Sequence, residues 1–120
     1  MLIISPSLTL THRLKVSAGN VTEKPDDHPL AKWCARDFRL GTWQLVLFMN
    51  PETTLSIVMD AAPYATLVER LREFLPDYFV NLGWDDVRST LGPILASGVE
   101  YRKNTDRSNT GLMNRTIGDL

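Results

Sequence analysis

With 120 residues the chain has material for one hydrophobic core and too little for two, so a single domain over residues 1–120 is expected. Apolar residues at 43% and charged ones at 22% exclude a disordered chain and a membrane protein. Thirteen Lys and Arg against fourteen Asp and Glu give a net charge of -1, which excludes a global pull on nucleic acid or acidic lipid and leaves only local patches to provide one.

The opening "MLIISPSLTL" has no basic stretch before its apolar run, which Ser5 and Pro6 interrupt, so no signal peptide is expected. Residues 2–5 suit a short strand. "LTLTHRLKV" then places Leu10 and Leu14 on one face of about two helical turns. Residues 17–29, rich in Gly, Asn, Pro and charge, are expected to be a loop. "AKWCARDFRL" alternates imperfectly, as a strand or a bulged strand would. "WQLVLFMN" is apolar on both faces except at Gln44, the pattern of a strand covered on both sides. After the "NPET" turn, "TLSIVMD" sets Leu55, Ile57 and Met59 against Thr54, Ser56 and Val58 and closes an antiparallel hairpin.

From Pro63 the period lengthens. Leu67, Leu71, Phe74 and Tyr78 predict the buried face of a helix, with Asp60 near its cap and Pro76 as a kink or stop. Residues 85–96 predict a second helix with Val87 and Leu91 inward, interrupted at Gly92 and Pro93. "GVEYRKN" alternates as a last strand, and the tail after Asp106 predicts a short helix with Leu112, Met113 and Ile117 partly buried. The order β, α, β, β, β, α, α, β, α implies an α+β fold: a mostly antiparallel sheet of four or five strands with helices mainly on one face.

Signatures of chemistry are sparse. A single cysteine, Cys34, allows no internal disulfide and no thiolate cluster, and it points to a reducing, cytoplasmic setting. His12 and His28 share no metal-ligand spacing, so no metal or cofactor is expected, although Asp26, Asp27 and His28 could hold a stray cation weakly. Asp85 and Asp86 complement a helix dipole without acid-base chemistry. No glycine-rich phosphate loop is present. Trp33, Trp43 and Trp84 are core candidates, with Trp84 the one expected to show at the surface.

"KNTDRSNTGLMN" is different in kind. Arg102, Lys103, Arg107 and Arg115 stand against Asp106 alone, a local charge of about +3 in a nearly neutral chain. Ser108 and Asn114 add hydrogen-bonding groups, and Gly111 would permit close approach or a positive φ. Arg102, Lys103, Asp106, Arg107, Ser108, Asn114 and Arg115 therefore form the candidate binding set. The competing reading is a helix cap with Arg107 paired to an internal carboxylate.

The pieces "LTHRLK", "WCARDF", "LFMNPETTLSIVM" and "TDRSNTGLMN" together resemble a bacterial and phage family known as domain-of-unknown-function family 6933. Phe48, Asn50, Thr53, Leu55 and Ser56 match its hairpin, and Arg107, Ser108, Gly111, Met113 and Asn114 match its terminal motif. Cys34 and Arg36 depart from it, because the family pattern has Tyr and Asn there. The resemblance implies a compact standalone module, often on mobile genes, and no reaction. The leading expectation is thus a non-enzymatic interaction protein, encoded by a phage or mobile element and inhibiting a host or defence protein through the sheet edge and the terminal patch. Alternatives are a nucleic-acid binder using the basic patch and an enzyme on a phosphorylated or nucleotide-like molecule. A protein partner is expected, a homo-oligomer and nucleic acid are open, and no membrane is involved.

Overall fold

The computed structural model describes residues 1–19, 27–103 and 107–119, without the side chains of 107–110. The described elements are β1 (Leu2–Pro6), α1 (Leu8–Leu14), β2 (Lys32–Leu40), β3 (Trp43–Met49), β4 (Ser56–Asp60), α2 (Leu67–Asn81), α3 (Asp85–Ala96), β5 (Val99–Tyr101) and α4 (Arg107–Gly118), with single 3-10 turns at Pro29–Ala31 and Tyr64–Thr66. The strands form one mixed sheet in the order β4-β3-β2-β1-β5. β2 to β4 are an antiparallel meander with the longer ladders, while β1 runs parallel to both β2 and β5. The architecture is the expected α+β one with five strands.

Chain direction explains the layering. β4 lies at one end of the sheet and β5 at the other, so the connection between them must cross the whole sheet, and α2 and α3 are that connection. They bury Leu67, Leu71, Leu75, Phe79, Leu91 and Leu95 against Leu2, Ile4, Trp33, Ala35, Val46 and Phe48. Large side chains such as Trp33, Phe48 and Phe79 each contribute roughly 2 to 3 kcal/mol by leaving water. The opposite face is covered at one end by α4, whose Met113 closes over Cys34, Leu47 and Met49. Helices therefore lie mainly on one face.

α1 is fastened at both ends by its sequence. Ser7 caps it, accepting from the Leu10 amide, and donates its hydroxyl to Asp37 on β2 at 3.0 Å. Arg13 in its last turn reaches Asp37, Gln44 and the Tyr64 hydroxyl, tying the helix to β2, β3 and the turn before α2.

Three details differ from expectation, each for a packing reason. Pro76 does not end α2, nor do Gly92 and Pro93 split α3. In both helices the lost amide bond is outweighed by buried residues on either side, Leu75 and Phe79 in α2, Leu91 and Leu95 in α3. The buried stripe of α2 is Leu67, Val68, Leu71, Leu75 and Phe79, rotated by about one position from the Phe74 and Tyr78 line, which leaves Phe74 exposed. Asp60 does not cap α2: it ends β4 and accepts the Trp43 indole N–H at 2.6 Å.

Candidate functional site

The basic segment is only partly displayed. Arg102 is turned inward, its side chain 7% exposed, and its guanidinium donates to both Asp27 carboxylate oxygens at 2.7 and 3.3 Å and to Glu100 at 2.8 Å. The hydrogen bond to Asp27 raises its pKa above the ordinary arginine range, burial pulls the other way, and Glu100 adds to the rise. Arg102 is thereby a structural cation that pins the segment at Asp27 to the end of β5, correcting the expectation that it faces a partner. Lys103, Asn114 and Arg115 are exposed. Asp106 lies outside the described residues, and Arg107 and Ser108 open α4 with side chains that also lie outside them. Gly111 is an ordinary helical residue: it has no positive φ, and a Cβ placed there meets nothing within 4 Å. Close approach therefore does not explain it.

Other sequence candidates resolve into fold. Asn50 is fully buried, and both ends of its side chain are used. Its Nδ2 donates to the Pro29 and Lys32 carbonyls at 2.8 and 3.2 Å, and its Oδ1 accepts from the Glu52 and Thr53 amides at 3.0 Å. It welds the β3–β4 turn to the start of β2 and has nothing left to offer a ligand. Cys34 is a buried neighbour of Leu47, Met49 and Met113. His28 accepts from the Leu30 amide through Nδ1, and Asp27 holds Arg102, so the anticipated loose cation ligands are already engaged. Asp26 lies outside the described residues. Among the described residues no group of three or more His, Cys, Asp or Glu gathers as a metal centre, and no helix is long and apolar enough to cross a membrane.

The surface that stands out is the free side of β4. The Asn50 amide bonds the Leu55 carbonyl and the Ala61 amide bonds the Gln44 carbonyl, so with the period-two alternation Ile57 and Met59 between them spend their main-chain groups on β3. Those of Ser56, Val58 and Asp60 point away from the sheet. Arg70 on α2 occupies the Asp60 carbonyl at 2.8 Å, but among the described residues no segment pairs with the outer side of β4. The other sheet edge is different: Gly19 bonds the Tyr101 carbonyl and the Lys103 amide and so blocks β5.

Apolar side chains flank this open edge. Trp43 is 58% exposed, Leu40 47%, Val58 43% and Phe74 41%. With Leu45 at the base they line a groove of about 500 Å³ that runs along β4, with Phe74 and Arg70 overhanging from the α2 side. "SIVMD" contains no Lys or Pro, and its register with β3 is unbroken, so only Asp60 and the Arg70 contact at its end blunt this edge strand. Trp43 is expected in the core because its large ring buries much area. It sits directly after the Gly41 turn, on the strand next to the edge, and is not among the described residues that pack with Met113 of α4. The sequence signal for an open edge was the hairpin itself, since its second strand is followed by a helix rather than a further strand.

The chain belongs to the family described as Domain of unknown function (DUF6933), which it matches over residues 3–120. No curated protein matches it, and no solved structure does.

Proposed function

We propose that this protein is a non-enzymatic interaction module that binds another protein by taking an extended apolar segment onto the outer edge of β4. One observation carries the reading: main-chain groups of Ser56 and Val58 face outward between Trp43, Leu40 and Val58 on one flank and Phe74 on the other. Strand addition supplies the two things such a surface lacks, partners for edge amides and carbonyls and cover for exposed rings. The binding face in this reading is the sheet edge, and the exposed Lys103, Asn114 and Arg115 do not line its groove. An inhibitor or regulator built this way acts by occupancy and needs no turnover. A phage or mobile-element protein directed against host defence would use the edge in this manner.

The nucleic-acid reading loses a cation to the fold, since Arg102 is committed to Asp27 and Glu100. The enzyme reading gains nothing from the buried Asn50, whose side chain is consumed by the turn. The test is a titration with alternating apolar heptapeptides, read by tryptophan fluorescence, on the unmodified chain and on Val58→Lys. Saturable binding that Val58→Lys abolishes supports strand addition. Binding by no peptide, or binding untouched by Val58→Lys, overturns it.

A further inference from the structure

The edge also specifies what fits it. Read outward from Val58, the strand is close to a palindrome in chemistry: Ile57 and Met59 flank the centre, and Ser56 and Asp60 lie at the ends. Place a second copy antiparallel with Val58 opposite Val58. Ile57 then faces Met59 of the other copy on the helix-bearing side, and Ser56 faces Asp60 on the opposite side. Every pair is apolar against apolar or hydroxyl against carboxylate, and no like charges meet. The outward main-chain groups of Ser56 and Val58 and the Asp60 amide are the ones that this register pairs, while the Asp60 carbonyl would share its second lone pair with the Arg70 guanidinium it already accepts from.

Symmetry places the remaining features consistently. The two-fold axis stands perpendicular to the sheet at Val58, so each sheet continues into its partner's and the two α2 helices end up on the same side. Arg70 sits at the Asp60 end of the strand and so far from its counterpart across the axis, which avoids repulsion between the two cations. The exposed rings of Trp43 and Phe74 rim the joint on its two faces. The Trp43 indole holds one Asp60 oxygen, and the facing Ser56 hydroxyl, which donates to the Thr54 carbonyl within its own copy, would turn to the carboxylate across the joint.

We infer that the first occupant of the β4 edge is a second copy of this chain, paired antiparallel about Val58 into a continuous ten-stranded sheet. The inference rests on the strand-addition reading above and specifies its partner. Pairing with itself also regulates that surface, because the homodimer conceals the edge until a better strand displaces one copy.

The register gives a test that a merely sticky surface would fail. Sedimentation of the unmodified chain across the micromolar range should show a monomer–dimer equilibrium. Val58→Lys, which sets two cations face to face, should be monomeric throughout. Ser56→Lys brings a cation opposite the partner's Asp60 twice per dimer and should tighten association about threefold to tenfold, while Ser56→Asp should weaken it by a similar factor. Within one copy residues 56 and 60 are about 13 Å apart along the strand, so neither change makes a charge pair with its own Asp60, and both lose the Ser56 hydroxyl's bond to the Thr54 carbonyl alike. A chain that stays monomeric but still binds apolar heptapeptides overturns self-pairing and leaves strand addition standing. A chain that does neither overturns both. A dimer indifferent to Val58→Lys, or shifted alike by Ser56→Lys and Ser56→Asp, overturns the register.

Discussion

Replacing Arg102 separates structure from binding in the basic segment most sharply. Arg102→Met keeps the length and apolar body of the side chain but deletes three charge-assisted hydrogen bonds, two to Asp27 and one to Glu100. Removing one partner of a buried ion pair costs about 3 to 5 kcal/mol. Glu100 is partly exposed and both carboxylates have further interactions, so the lower figure applies, about 3 kcal/mol. For a chain of 120 residues, 1 kcal/mol corresponds to about 4 °C in melting temperature, which makes the expected loss about 12 °C. Arg102→Lys should recover part of it, since an ammonium lacks the fork that spans both Asp27 oxygens. Scanning calorimetry, with urea midpoints as a second measure, reads the effect. A drop of less than about 2 °C for Arg102→Met would show that the guanidinium is not part of the fold, and would return it to the candidate binding set.

Asn50→Ala removes two donor and two acceptor contacts of a fully buried side chain and should cost about 3 kcal/mol, visible as a lower urea midpoint; a change below about 1 kcal/mol would contradict the role given to this side chain. Gly111→Ala should raise stability by about 1 kcal/mol, because it adds helix propensity in α4 where a Cβ meets nothing, and a destabilised variant would refute that placement. Burial, and then Glu69, raise the Tyr101 pKa above the ordinary tyrosine value of about 10. The unfolded chain therefore loses this proton first as pH rises, and the contribution of Tyr101 to stability, complete below about pH 10, declines through the alkaline range. Tyr101→Phe should flatten that decline in melts compared across alkaline pH, and an unchanged slope would count against it.

Much of the fold was legible because its signals are local. The change from period two to period 3.6 after Pro63, the hairpin across "NPET" and the two-sided apolar run of β3 each placed an element in its correct order. What escaped were properties decided by distant neighbours. Pro76 and Pro93 look like helix stops, yet they lie inside helices held by cores that the local sequence does not display. Arg102 looks like a surface cation because Asp27 is 75 residues away in the chain. Trp43 looks like core because exposure at a sheet edge depends on the strand order, which places β4 outermost. Asn50 is half legible: its Oδ1 bonds to the Glu52 and Thr53 amides are the turn chemistry that its sequence displays, while its Nδ2 bonds to the Pro29 and Lys32 carbonyls depend on distant neighbours.

Main-chain exposure along β4 is the claim on which the account depends, and amide hydrogen exchange measures it residue by residue. The amides of Ile57 and Met59, bonded to β3, should be protected at every protein concentration. Protection of the Val58 amide should be absent in dilute protein, should rise with concentration as copies pair, and should vanish in Val58→Lys. A Val58 amide protected in dilute protein, or equally unprotected at all concentrations and with every apolar strand peptide added, would contradict an open edge that recruits a strand.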